Sequence, residues 1–422
     1  MEARDHSISK ATLDPAADAA AMLLRLGFAI FAIVIPSATL MSRWVIVVLV
    51  PIGAVLIVLS AVLRGNPFRV LGDLRHALAT LPGLTAVFLS IWAVASLAWA
   101  PNPDVGAVKI FKSLGVILLG ILAVKSLPQK MRASNLHLVT IGVALGALLI
   151  LIALAGDALG WALLRLPAAT PGRSAVLLVC LGWAGAAWLL IKNRRRLALG
   201  LVGLVFLAAI LGPTGEAILP MGVGLLVFAL AWAMPERAGN ILAALAAALI
   251  AAAPLAALLA GLTHKFVPDI AGSVIANVAL WWDVIRADPI GLFTGHGFDS
   301  AVSGRDAGKL PPQIHATLVS DIWYDLGLLG ALACAFLVYS LFRVTGRLGL
   351  EVAPLALSAL ASAFTYTLTE RGATQTWWLN GLAVLAIVLV SVDRGRYRTV
   401  RPRASVSTGR SAEASSIHAS AS

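Results

Sequence analysis

Apolar runs of about twenty residues recur along almost the whole chain, separated by short segments rich in glycine, proline and charge. At about 1.5 Å per helical residue, each run is long enough to cross a hydrocarbon core of about 30 Å. Twelve can be distinguished, with approximate limits 22–42, 44–63, 82–100, 106–125, 136–156, 174–191, 197–212, 217–234, 241–262, 317–342, 352–369 and 377–392. Lipid offers nothing to hydrogen-bond a bare backbone, and no alternating barrel pattern is present, so the runs are expected to be helices. The expected fold is all-α and polytopic, with residues 1–392 forming one membrane-embedded domain.

The pattern changes between 263 and 316, where glycine, proline and charge replace apolar runs; this is the one large extramembrane piece expected. Inside it, GSVIANVALWWDVIRADP predicts a short helix capped by Ser273, with an apolar stripe through Val274, Val278, Trp281, Trp282 and Ile285, stopping before Pro289. The glycine-rich stretch GLFTGHGFDSAVSGRDAGKLPP follows and is expected to cap the bundle and return the chain to His315. The Arg-, Ser- and Ala-rich segment 393–422 reads as a disordered basic tail.

Composition reinforces the membrane reading, since 60% hydrophobic and only 12% charged residues exceed what a soluble core requires. The charge is distributed unevenly. Arg64, Arg69, Arg75, Lys125, Lys130, Arg132, Lys192, Arg194, Arg195, Arg196, Arg237, Arg343, Arg347 and the cations from Arg394 to Arg410 all fall on one side of an even number of spans. By the positive-inside rule that side, with both termini, is expected to be cytoplasmic. The net charge of +12 is then a topology signal with some attraction to anionic lipid, and nucleic-acid binding is not expected. No cleavable signal peptide is expected, the first helix serving as an uncleaved signal. Cys180 and Cys334 both fall inside predicted spans and read as small core residues.

No Walker loop, zinc helix or pair of aspartates spaced for a metal is present, so any chemistry must come from scattered polar groups. On the outer side these are Lys109 and Lys112, Arg173, Glu216, His315, Asp321 and Asp325, Glu370 and Arg371. Lys109 and Lys112 lie three apart and share a helix face. Thr317, Asp321 and Asp325 lie four apart and make a polar stripe on a membrane helix, where ionisable groups usually face a cavity or one another. Each also has a plain structural role: the lysines snorkelling to lipid phosphate, Arg173 anchoring at the interface, the aspartates pairing with cations, Glu216 favoured by a helix dipole. His315 stands where a polar loop enters a helix, and imidazole titrates near neutrality. A histidine in such a place is also commonly just a hydrogen-bonded interfacial residue, and His264 and His296 are weaker candidates.

Several short patterns, taken in order, resemble the O-antigen ligase and O-antigen polymerase family of bacterial envelope glycosyltransferases, in its ligase-like branch. They are TPGRSAVLLV around Arg173, LGPTGEAILPMGVGLLVFAL around Glu216, and LWWDVIRADPIGLFTGHGFDS in the large loop. The best is IHATLVSDIWYDLGLLGA, which matches through His315, Trp323, Asp325, Leu326 and Gly327, and ATQTWWL follows with Gln375, Trp377 and Trp378. The stretch ANVALWW lacks the arginine the family commonly carries before its loop tryptophan; Lys265 or Arg286 in the same loop would substitute for it.

The resemblance implies a GT-C-like bundle that takes a glycan linked through diphosphate to undecaprenol at the periplasmic face of the bacterial inner membrane. Arg173, Lys109, Lys112, Arg371 and Arg286 would hold the diphosphate, and His315 would accept the proton of the attacking hydroxyl in an inverting transfer. Asp321, Asp325 and Glu216 would support the site. No metal, nucleotide or other cofactor is expected. The acceptor would be lipid A core for a ligase, or another lipid-linked repeat unit for a polymerase. A lipid or polysaccharide transporter is the alternative from another class, against which the sequence offers no paired halves or broken-helix repeats.

Overall fold

A computed structural model of the protein describes residues 15–65, 67–160, 170–263, 269–308, 310–311, 317–369 and 375–396. His264, Lys265, His315, Glu370 and Arg371 lie outside these residues, as does the chain beyond 396. The described residues are helical throughout, with no strand among them.

The long helices are α1 (Pro15–Ala38), α2 (Arg43–Arg64), α4 (Leu81–Trp99), α5 (Pro103–Ser126), α6 (Ala133–Ala158) and α7 (Thr170–Ile191), with the short α3 (Pro67–Ala79) after α2. Then come α8 (Arg195–Leu211), α9 (Ile218–Ala233), α10 (Ala238–Ala251) and α11 (Ala253–Thr263). The chain continues through α12 (Asp269–Ala287), α13 (Gly291–Thr294) and α14 (Ser300–Asp306) into α15 (Leu318–Gly346), α16 (Ala353–Thr369) and α17 (Thr376–Gly395). Every one of the twelve apolar runs coincides with helix. Among the described residues, eight helices are long and apolar enough to cross a membrane, or nine if α10 and α11, bent by 62° at their junction, form one broken span. α9 and α16 are shorter apolar helices.

Polar side chains mark several starts. The Ser42 hydroxyl accepts from the Trp44 amide at 3.2 Å and opens α2, while Thr317 and Ser320 cap α15 reciprocally. α7 is almost wholly buried and packs against α6, α8, α16 and α17, with Trp188 and Trp378 among the largest enclosed side chains. The outer perimeter carries exposed Ile91, Phe111, Leu199, Leu226 and Trp232, as expected of a surface that meets hydrocarbon.

Two expectations need correction. α12 begins at Asp269, so Ser273 lies inside the helix and not at its N-terminal cap position. Ile270 lies four residues before Val274 and extends the apolar stripe by one turn, so the helix starts four residues earlier than the serine suggested. α12 also packs along α11, with Trp282 against Gly261, so much of the large loop belongs to the bundle. In addition, α17 runs to Gly395, and the Arg394 guanidinium donates to the Leu127 carbonyl, which places the start of the supposed tail inside the fold.

Cations from several distant turns gather at one end of the bundle. The Met131 amide donates to the Arg394 carbonyl, Gly239 abuts Gly346, and Arg64 shares a hollow with Lys130 and Arg132. Lys192 lies 4.7 Å over the Trp188 ring, and Trp188 in turn donates to His137 near the start of α6. The starts of α2, α5, α7 and α17 meet at the opposite end, together with α13 and α14.

Candidate functional site

At that opposite end α15 is broken. Gly327 has φ 63° and ψ −158°, a conformation L side chains rarely adopt, and a Cβ there would lie 2.5 Å from the Gly295 nitrogen and the Phe293 oxygen. A break in a membrane helix leaves carbonyls without their usual partners, which must be satisfied inside the protein. Here the GHGFDS turn supplies them. The His296 amide donates to Tyr324 O at 2.8 Å and the Gly297 amide to Asp325 O at 3.0 Å, while Trp92 of α4 donates to Leu326 O at 2.9 Å. The His296 ring stacks on Tyr324 at 4.0 Å, with its Nε2 3.2 Å from the Asp288 carboxylate.

Charged groups surround the break. Asp325 is buried, and its two oxygens accept from the Asp299 amide at 3.0 Å and the Ala301 amide at 2.7 Å, pinning α14 onto α15. Asp299 in turn receives Lys109 of α5 on both oxygens at 2.7 and 2.6 Å; the carboxylate is 5% exposed and the lysine 41%. Arg305 and Asp321 form a two-pronged pair at 2.9 and 3.1 Å. Two cations thus face three carboxylates, and at the helical rise Lys109, Asp321 and Asp325 lie about 5–10 Å beyond the first residues of α5 and α15.

The first turns of α15 separate two hollows. On one side a cavity of about 250 Å³, apolar over most of its wall, carries the charged groups Lys109, Asp299, Asp321 and Asp325, with Gln375 and Thr376 of the α17 start. On the other an apolar cavity of about 270 Å³ lies between α11, α12 and α15, walled by Trp281, Trp323 and Tyr324. Thr317, two residues after His315 in the chain, is on the rim of the apolar one.

Arg173 lines a third cavity, of about 250 Å³, with Ser42, Arg43, Trp44, Ser174 and Trp377. It is half-buried and makes no ion pair among the described residues. Glu216 is near enough to interact with it; burial pushes the Glu216 carboxyl above the usual carboxylate value, with Arg173 and a hydrogen bond from Thr214 partly opposing that. The Arg173 cavity and the Lys109 cavity flank the same helix start, one touching Trp377 and the other Gln375 and Thr376. Trp377 donates to the Gln375 side chain at 2.7 Å between them.

The sequence candidates therefore divide. Arg173, with Glu216 close enough to interact, and Lys109 with Asp321 and Asp325 come to one end of the bundle; Arg173 lines one hollow, and Lys109, Asp321 and Asp325 line the adjacent one. Lys112 is exposed, and Arg286 is exposed over the Trp282 ring at 5.9 Å, on the wall of neither hollow. His315 and Arg371 lie outside the described residues. Both oxygens of Asp321 are held by Arg305, and both of Asp325 by backbone, so the two aspartates act as structural acceptors here. Sequence reasoning passed over Asp299, Arg305, Trp92 and Tyr324; the Asp299 signal was present in GHGFDS, but its partner Lys109 is 190 positions away. No protein-family model, curated protein or solved structure matches the chain.

Proposed function

We propose that the protein is an inverting glycan transferase of the bacterial inner membrane, acting on a polysaccharide linked through diphosphate to undecaprenol and passing it to lipid A core. A polymerase of lipid-linked O-antigen or exopolysaccharide units is the same chemistry with a different acceptor. In this reading each of the twelve apolar runs crosses in a GT-C-like bundle, the basic end and both termini are cytoplasmic, and the broken end of α15 faces the periplasm.

The observation that carries the reading is Arg173, a half-buried guanidinium without an ion pair among the described residues, in a cavity shared with Arg43 and two tryptophans. Negative charge grows on the diphosphate as the sugar C1–O bond breaks, so a fixed fork of donors there favours the transition state over the bound donor. Lys109 is already neutralised by Asp299, and its part is to hold α14 against α5. His315 accepts the proton of the acceptor hydroxyl as that oxygen attacks C1 from the face opposite the diphosphate. Lys112, Arg371 and Arg286 are secondary phosphate contacts in this scheme. The apolar cavity beside Thr317 suits part of the polyprenyl chain. The scheme uses no metal and no nucleotide.

The bend between α10 and α11 and the break at Gly327 specifically favour a second reading, a lipid or polysaccharide carrier, because broken helices around an internal site are common in transporters. One reconstitution separates the two. Proteoliposomes with a defined undecaprenyl-diphosphate glycan and lipid A core should yield glycosylated lipid A, with Arg173→Ala and His315→Ala each lowering the rate by about a hundredfold or more while membrane insertion is retained. Movement of intact donor across the bilayer without transfer would replace the transferase reading with the carrier.

A further inference from the structure

The basic end holds a cavity that the transferase reading does not use. It has a volume of about 180 Å³ and is lined by Arg25 of α1, Arg64 at the end of α2, Lys130 and Arg132 in the turn before α6, and Asn135 in the first turn of α6. Among the described residues no carboxylate lines it. Like charges brought together without a counterion repel, and Arg64 and Arg132 are close enough to do so.

Part of the wall is held in place by contacts within the fold. Arg64 donates to the Ala20 carbonyl at 3.4 Å and to the Ser60 hydroxyl, which ties its guanidinium to α1. The turn from Leu127 to Met131 is anchored at both ends by Arg394 of α17. Asn135 is 3% exposed, and its amide nitrogen meets no acceptor among the described residues. Arg132 occupies the cap position of the 26-residue α6 without a side-chain cap, so the free amides and positive end of the helix dipole open toward the same place. On α1, beside this hollow, Met22 and Leu26 are exposed on the lipid-facing perimeter.

We propose that this cavity is an anion site that takes a phosphate group, presented by the headgroup of an anionic phospholipid. Four cations, an unpaired amide and a helix start match the several acceptor oxygens of a phosphate, and the neighbouring apolar face of α1 gives the acyl chains a place to lie. The site is independent of glycan transfer and remains if the transferase reading fails.

The test uses the full chain in an uncharged detergent, following the thermal unfolding midpoint as phosphatidylglycerol, phosphatidylcholine or inorganic phosphate is added. Phosphatidylglycerol should raise the midpoint and phosphatidylcholine should not. The double variant Lys130→Gln/Arg132→Gln should need about tenfold more phosphatidylglycerol for half the effect. Arg195→Gln/Arg196→Gln, which removes two exposed cations elsewhere at the same end, should respond as the unaltered protein does. Should the double variant fail to fold, Arg25→Gln on the facing wall should show the same weakening. A full response to inorganic phosphate alone would keep the phosphate site and make the free ion its ligand. Equal responses to the two lipids, an unchanged Lys130→Gln/Arg132→Gln variant, or equal weakening in the Arg195→Gln/Arg196→Gln control would overturn the proposal.

Discussion

Arg173 and Glu216 form the pair whose titration should be visible in ligand binding. Burial raises the Glu216 carboxyl above its usual value, so as pH falls it takes up a proton before an exposed glutamate would, and Arg173 then loses a neighbouring negative charge. A disubstituted diphosphate keeps its own charge constant through that range. Its affinity should therefore rise as pH falls through the Glu216 titration, and Glu216→Gln should bind tightly and flatten the dependence; calorimetric titration of the lipid diphosphate across pH checks this. A profile unchanged by Glu216→Gln would detach the glutamate from the anion site. Arg305 makes a prediction about stability instead, because removing it strands the buried carboxylate of Asp321. Arg305→Ala should cost about 3–5 kcal/mol, and the double variant Arg305→Ala/Asp321→Asn should recover much of that, read from unfolding in detergent. At this scale the sequence was informative about which residues carry charge and poor at saying what each one meets. Arg173 stands out because it opens an apolar helix after Pro171 and Gly172, a local signal. Lys109 and Asp299, or Arg305 and Asp321, are joined only by the tertiary fold, so Lys109 read as an available phosphate cation when its charge is in fact taken.

Helices were legible because lipid-length apolar runs have few other structures open to them, and each of the twelve runs is helical. Breaks were not, because a single glycine in an apolar helix leaves the hydropathy pattern untouched. Gly327 differs from the unremarkable Gly200 of α8 only in what surrounds it: Gly200 has nothing within reach of an added Cβ, whereas Gly327 faces Gly295 and Phe293 backbone in a left-handed conformation. Gly200→Ala should leave stability unchanged or raise it by up to about 1 kcal/mol. Gly327→Ala should lower it by at least about 1–3 kcal/mol and loosen the GHGFDS turn. Thermal unfolding measures the first effect, and amide exchange at His296 and Gly297, whose N–H groups donate to the carbonyls freed by the break, measures the second. A Gly327→Ala protein as stable as the parent, with those amides still protected, would mean that the break is not required by the fold.

For the molecule as a whole, the positions of the cations and the alternation of helix ends give the same division into two faces. The turns at 127–132, 192–196, 237–239, 346–349 and 394–396 come together at the basic end through contacts that join distant parts of the chain. Helix length is the point of tension. α8 and α16 have 17 residues and α9 has 16, which at 1.5 Å per residue reach about 24–26 Å, short of a typical hydrocarbon core of about 30 Å. A mismatch of a few ångströms costs only fractions of a kcal/mol per ångström and can be met by local thinning, so all three should still cross. Reporter fusions at Arg195, Glu236, Leu348 and Arg396 should then report one compartment, the cytoplasm, and fusions at Thr214 and Arg305 the other. The Thr214 and Glu236 pair is decisive because α9 alone lies between them. If both report the same compartment, α9 rests within the membrane without crossing it, and every later crossing reverses sense. The broken end of α15 and the Arg173 cavity, which flank a single helix start, would then face opposite sides of the membrane, an arrangement that no compact bundle with these contacts allows. Agreement between the two fusions would therefore count against the fold itself, and opposite readings support twelve crossings together with a common face for both hollows.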